Sequence, residues 1–375
     1  MSFEVLSKDL KGAARLGRLM TPHGMVETPA FMPVATQGAV KSLSQEDLDS
    51  LGFNMILSNS YHLYLRPGLN VLRKAGGLHR FMGYSGSILT DSGGFQVMSL
   101  SHLRTIEDSG ITFRSHLDGS RHVFTPESVV DIQAVIGSDC WTALDVCPPY
   151  PCPPQEAERA FNLTLQWAER ASQAFRRKIE EGAKALFFPI VQGGFDAKRR
   201  TQAAEKILEL CPDGLALGGF SVGEPKELTW EILAETTRAL PEGKPRYLMG
   251  VGTPTDLWEA VRLGVDLMDC VWPTRVARNG LAATNLGRLS IDNSAFKTDT
   301  TPLDPDCSCF VCRRYSRAYL SHLFRAKELS AYRFLTWHNL HVMKQTMERI
   351  KSAIREDRFE EARREFLSQL ASAAD

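Results

Sequence analysis

Eight short runs rich in β-branched and apolar residues, at 30–34, 54–58, 86–90, 138–144, 185–191, 214–218, 246–250 and 265–269, recur between longer segments of helical periodicity. Strands alternating with helices build βαβ units and a parallel sheet. Eight such repeats in about 250 residues predict the α/β class in its (β/α)8, or TIM-barrel, form rather than an open sheet. The helical segments are 126–136, 155–181, 196–210, 227–239 and 254–263, the last opening at Thr253-Pro254, where proline suits a first turn. A chain of 375 residues, 43% hydrophobic, is long enough to bury a core of that size.

The repeat is decorated in three places. Phe3–Val5 and Arg15–Met20 predict an N-terminal hairpin, and 111–117 with 122–124 flank Asp118-Gly119, a hairpin turn signal that interrupts one βα loop. After the eighth run come a polar stretch at 292–306, a cysteine cluster, and a tail with Met343, Met347, Ile350 and Ile354 at helical spacing. The expected division is a catalytic barrel over 1–290, a metal-binding subdomain over 291–345, and a helical segment over 346–375 packing on the barrel.

Cys307-x-Cys309-x2-Cys312 brings three thiolates within six residues, a knuckle suited to tetrahedral Zn2+ and short of one ligand. His322, His338 and His341 are the candidates for the fourth, and spacing alone does not choose. A closed set of four ligands makes the metal structural, not a water activator. The start lacks a basic stretch followed by an apolar one, and no apolar run reaches membrane-spanning length, so a cytoplasmic protein with reduced cysteines and no membrane partner is expected. The formal net charge is zero, yet residues 270–340 carry ten Lys/Arg against five acids, a local surplus that suits phosphate binding.

Chemistry in such a barrel sits where strands run out at their C-terminal ends. Those ends carry Asp91-Ser92-Gly93-Gly94-Phe95, Asp145-Val146-Cys147, Gln192-Gly193-Gly194, Gly218-Gly219, Met249-Gly250 and Asp269. A single aspartate there is more often a turn or cap residue; three on one rim beside glycine pairs point to a site. Two carboxylates suit substitution at a sugar carbon, one as nucleophile on an oxocarbenium-like centre, the other moving protons. The third, Asp145, can accept from the N1–H and 2-amino group of guanine, while Gln192 and the Gly219 N–H donate to O6. Phe95 and Met249 can sandwich the base plane.

Thr90-Asp91-Ser92-Gly93-Gly94-Phe95-Gln96, Val191-Gln192-Gly193-Gly194, Leu217-Gly218-Gly219-Phe220-Ser221-Val222-Gly223-Glu224, Met249-Gly250-Val251-Gly252 and Asp269-Cys270-Val271-Trp272-Pro273-Thr274-Arg275 resemble the motifs of bacterial tRNA-guanine transglycosylases. The resemblance spans nearly the whole chain, from Asn59-Ser60-Tyr61-His62-Leu63 to the cysteine knuckle. It implies exchange of the wobble guanine of GUN anticodons (the Asp, Asn, His and Tyr tRNAs) for 7-aminomethyl-7-deazaguanine (preQ1), through a covalent tRNA–enzyme intermediate on the route to queuosine. It further implies Asp269 as nucleophile, Asp91 as general acid/base, and Asp145, Gln192, Gly219, Ser92, Phe95 and Met249 as base-binding residues. Arg275 and Arg278 are implied as anticodon contacts, His338 as the fourth zinc ligand, and a homodimer as the working form. Val146 and Phe220 depart from the commoner bacterial residues and are expected to border the pocket. Cys147, Val222 and Glu224 keep the bacterial pattern and favour the small preQ1 over queuine. Two other readings use the same residues: hydrolysis of a small glycoside or nucleoside, and a catalytically silent RNA-binding subunit, against which the presence of all of Asp91, Asp145 and Asp269 weighs.

Overall fold

In the computed structural model, which describes residues 2–100, 103–284 and 287–371, all eight runs are barrel strands. They are Ala30–Met32, Met55–Asn59, Ser87–Asp91, Cys140–Thr142, Leu186–Phe188 continued by Ile190–Val191, Leu215–Leu217, Arg246–Leu248 and Leu267–Asp269. Neighbouring strands pair in parallel. The eighth pairs with the first, Asp269 opposite Met32, and a bridge from Val34 to Leu57 joins the first to the second, so the ring closes. Pro189, which has no N–H to give a ladder, splits the fifth strand: its first piece pairs with the fourth strand and its second with the sixth.

Side chains of a strand alternate between its faces, and here one face is the barrel interior. Met32, Met55, Leu57, Leu89, Cys140, Phe188, Ile190, Ala216, Tyr247 and Leu267 form one buried cluster inside the ring. Ile56, Ile88, Leu215, Leu217, Leu248 and Met268 face outward into the layer shared with the helices. These helices are Pro126–Ile136, Pro154–Glu180, Ala197–Glu209, Lys226–Arg238 and Pro254–Arg262. Their starts are set locally: Thr125 and Thr253 form capping boxes with Ser128 and Asp256, and Asp196 accepts from the backbone N–H groups of Lys198 and Arg199.

The N-terminal hairpin gains a third strand, so that Phe3–Lys8, Arg15–Thr21 and Gly24–Thr28 form an antiparallel sheet. It plugs the N-terminal end of the barrel with Phe3, Leu19 and Val26. Two polar anchors hold it. Arg15, buried, forks onto both oxygens of the equally buried Asp266 at 2.9 and 2.6 Å and also donates to the carbonyls of Glu242 and Lys244. His23 and His79 stack at 3.6 Å, each reaching one oxygen of Asp139, at 2.7 and 3.2 Å. The second insertion is likewise three-stranded, Arg104–Glu107, Gly110–Arg114 and Arg121–Phe124, lying between the third barrel strand and helix Pro126–Ile136.

A 27-residue helix, Leu329–Arg355, runs unbroken across the boundary expected at 345, because Leu340, Met343, Met347, Ile350 and Ile354 continue one buried stripe. No helix of the described residues is long and apolar enough to cross a membrane. Asp266→Ala leaves the buried Arg15 guanidinium without its carboxylate. It is expected to lower unfolding stability by roughly 3–5 kcal/mol, measured by denaturant titration, whereas a loss under about 1 kcal/mol would show that the plug is held by its apolar contacts alone.

Candidate active site

Inward alternation decides which residues reach the mouth. Asp91 stands two positions after inward Leu89, Gln192 two after Ile190, Met249 two after Tyr247, and Asp269 two after Leu267. All four therefore point along the barrel axis at the C-terminal end of the ring.

Asp91 is 7% exposed and held from the second strand, with which it is in register: Asn59, directly opposite, donates its side-chain amide to Oδ2, and the Ser60 N–H donates to Oδ1 at 3.0 Å. Burial, with a smaller push from the charge of Asp269, raises the Asp91 carboxyl to about 6 against the pull of those bonds and of one from Gln96. Asp269, also 7% exposed, accepts from the Tyr247 hydroxyl at 2.7 Å and the Gly250 N–H at 2.8 Å, both on Oδ1. Among the described residues no hydrogen bond ends on its Oδ2. Burial raises its pKa too, and Tyr247 is raised by burial and by the charges of both Asp269 and Asp91. The two carboxylates thus feel one another's charge, and the Tyr247 phenol, bonded to Asp269, feels both.

Asp145 lies on the same rim, 5% exposed, and burial lifts it to about 6 while a bond from Gln192 Nε2 at 2.7 Å opposes the shift. Gln192 has one amide hydrogen committed to Asp145 and a buried Oε1 with no partner. Gln96 Oε1 and His62 Nδ1 are likewise buried and unpartnered. Such atoms cost about 1–3 kcal/mol each when left unmet; Gln192 Oε1, beside Asp145 on the rim, is one that a polar ligand would satisfy. Gly219 has φ +75°, and a Cβ on it would sit 2.4 Å from Gln192 Oε1; only glycine lets this backbone come so close. A Cβ on Gly94 would meet the Asp145 carbonyl at 3.0 Å. Cys147, half-buried beside Asp145, is pushed up to about 12 by desolvation and stays a thiol.

The other expected residues are placed as follows. Ser92 is buried and accepts from the Gly94 N–H at 3.2 Å, shaping the turn. Phe95 stands 51% exposed on helix Gly94–Leu100, and Met249 packs on the barrel interior. Arg275 and Arg278 are exposed on helix Trp272–Arg278, directly after Asp269. Part of the basic surplus is neutralised, since Arg317, Arg325 and Arg333 pair with Asp299, Asp292 and Asp47. Val146 packs in the outer core with its N–H on Thr164, and Phe220 lies over the buried Arg200. Asn59, Ser60, Gln96, Tyr247 and Gly250 were given no role from sequence. Tyr247 had a readable signal, a phenol at the inward position of the seventh strand, between Arg246 and Leu248.

The cysteine knuckle closes with His338. Its Nδ1 lies 3.7, 3.5 and 3.4 Å from the sulfurs of Cys307, Cys309 and Cys312, and its Nε2 faces the Ala283 carbonyl at 2.6 Å. Tetrahedral bonds of roughly 2.3 Å to sulfur and 2.0–2.1 Å to nitrogen put S and N about 3.5 Å apart, so this Cys3His group could hold a metal ion. The carbonyl on Nε2 fixes the tautomer that leaves Nδ1 free to ligate. His322 and His341 are not in that group.

Sequence comparison fits this geometry: the profile of queuine tRNA-ribosyltransferases matches residues 9–372. The chain belongs to the queuine tRNA-ribosyltransferase family. Relatives of that name include those of Caldanaerobacter subterraneus subsp. tengcongensis, 50% identical over 98% of this chain and 97% of the relative, and Desulforudis audaxviator, 51% identical over 99% of both. A third, from Koribacter versatilis, is 52% identical over 94% of both. Membership makes the chain an enzyme of the tRNA-guanine transglycosylase type.

Burial of the rim carboxylates has a measurable cost. The unfolded chain ionises Asp145 near the ordinary 3.8, whereas the folded one keeps its proton to about 6, so stability falls as pH rises through that window. Asp145→Asn is therefore expected to be more stable than the wild type at neutral pH, by at most about 3 kcal/mol. Thermal melts across the window should show the difference vanishing in acid; equal stability at neutral pH would contradict the assignment.

Proposed function

We propose that this enzyme exchanges the wobble guanine of GUN-anticodon tRNAs for preQ1, with Asp269 bonding the ribose between the two half-reactions. The observation that carries the reading is the pairing of two buried carboxylates with a third carboxylate and an amide on one barrel rim. A base in a stacked helix cannot enter such a mouth, but one flipped out of a single-stranded anticodon loop can, and unstacking is cheapest there.

The roles follow from the atoms left free. Tyr247 and Gly250 occupy Oδ1 of Asp269, which leaves Oδ2 to attack ribose C1′ as the C1′–N9 bond breaks and its electron pair leaves with guanine. Asp91, raised to about 6, exchanges a proton near neutral pH, giving one to the departing base and taking one from the incoming base. Protons balance over the cycle. Asp145 accepts from N1–H and the 2-amino group, while the remaining Gln192 amide hydrogen and the Gly219 N–H donate to O6. Phe95 and Met249 cover the base faces, Ser92 supports the turn beside Asp91, and Arg275 and Arg278 hold flanking phosphates. Cys147, a small neutral thiol, leaves room for an aminomethyl substituent, which favours preQ1.

In this reading residues 1–290 are the catalytic barrel, and residues 291–345, held by Zn2+ on Cys307, Cys309, Cys312 and His338, are appended to it. Helix Leu329–Arg355 carries the chain from this subdomain onto the barrel. The metal would stabilise that fold and supply no catalytic function, since four protein ligands leave no open position. We further propose a cytoplasmic homodimer. Cys309→Ser is expected to reduce bound zinc from one per chain to near none by metal analysis and to destabilise the region around helix Leu329–Arg355. A metal-free variant with unchanged melting would contradict the structural role.

Incubating the enzyme with unlabelled tRNA and labelled guanine tests the activity itself. Label is expected to enter intact tRNA, to be chased out by preQ1, and to be undetectable with Asp269→Asn, a fall of at least about a thousandfold. Release of free guanine without incorporation would establish hydrolysis instead.

A further inference from the structure

Arg200 stands in the first turn of helix Ala197–Glu209, fully buried. Its guanidinium makes no ion pair among the described residues. Nε donates to the Gly194 carbonyl at 2.7 Å, one terminal nitrogen to Val191 at 3.4 Å, and the other to Gly218 at 3.0 Å, with the Phe220 ring over it at 3.9 Å. The nearest carboxylate acting on it, Glu224, is occupied by the N–H groups of Ser221 and Val222 and the hydroxyl of Thr229. Burial pulls the Arg200 pKa down to about 9, which leaves it charged at neutral pH. A buried cation bonded only to carbonyls is costly and calls for a purpose beyond packing.

Its acceptors are not arbitrary. They belong to the turns after the fifth and sixth strands, which carry Gln192 and Gly219. The Gly218 carbonyl and the Gly219 N–H are two ends of one peptide group. A cation on the carbonyl draws electron density through the amide and makes the N–H a better donor, an effect that a dry interior amplifies.

We propose that Arg200 is a positioning residue for base recognition, which fixes and polarises the Gly218–Gly219 peptide so that its N–H binds the 6-oxo group of a purine. The proposal rests on the base-exchange reading above. It adds a role in the reaction: as the C1′–N9 bond breaks, the departing electron pair spreads from N9 to O6, and a strengthened donor there favours the charge more than the neutral ground state. Phe220 shields the guanidinium from water, so its field is not screened.

The test compares guanine with 2-aminopurine, the same ring system without the 6-oxo group, as competitive inhibitors of exchange by the full-length enzyme and its Arg200→Met variant. The wild type is expected to prefer guanine. In Arg200→Met that preference should shrink about tenfold, the scale of one charge-assisted hydrogen bond, with 2-aminopurine binding changed by less than about twofold. The kcat should fall with KM for tRNA little altered. Arg200→Lys, which keeps a charge but reaches fewer carbonyls, should lie between, and carries the comparison if the Met variant does not fold. Equal weakening toward both bases, or an unchanged preference, overturns the proposal in favour of a purely structural arginine. A wild type with no preference for guanine overturns the base-recognition reading on which it stands.

Discussion

The closed ring of parallel strands and its two-residue alternation of side chains are the constraint on which the site depends. A one-residue slip in the eighth strand would turn Asp269 from the barrel interior into the helix layer, where Met268 now sits, and nothing could then bring it to Asp91. The pairing of Leu267 with Ala30 and of Asp269 with Met32 fixes that register, and the N-terminal sheet, anchored through Arg15 to Asp266, braces the strand from its other end. Stability at the bottom of the barrel and chemistry at its top are thus joined through one short strand.

Electrostatics at the mouth follow from that enclosure. No described lysine or arginine pairs with the three carboxylates, so their charged forms are sustained by hydrogen bonds from Asn59, Ser60, Gln96, Tyr247, Gly250 and Gln192. Fixed donors of this kind do not reorganise as charge moves, which suits substitution at an oxocarbenium-like carbon. The buried cation Arg200 is set behind the backbone, bonded to the Gly194 and Gly218 carbonyls of the glycine turns and to none of the three carboxylates.

Much of this was legible beforehand because the signals are periodic or chemically singular. The eight apolar runs and the flanking helices appear within one or two residues of their expected places, and the cysteine spacing pointed to a metal. Spacing left the fourth ligand open among three histidines, because which one faces the sulfurs depends on how helix Leu329–Arg355 lies against the knuckle; that packing puts His338 there. The partners of the rim carboxylates were equally out of reach. Asn59 meets Asp91 only through strand register, and Tyr247 meets Asp269 only through the pairing of the seventh and eighth strands. Arg200 reads in sequence as one more basic residue on an amphipathic helix, and only the packing shows that it is buried against the pocket. The continuous helix across 345 also could not be drawn from a stripe that carried no stop signal at either end.

The central claim is that a carboxylate oxygen of Asp269 bonds to the ribose of the flipped-out nucleotide. Denaturing the enzyme with tRNA and a base analogue that cannot be transferred back, digesting the complex, and mapping the adduct by mass spectrometry tests it directly. A ribose-linked peptide modified at Asp269 is the predicted result; an adduct on Asp91 or Asp145, or none while exchange proceeds at full rate, would contradict it.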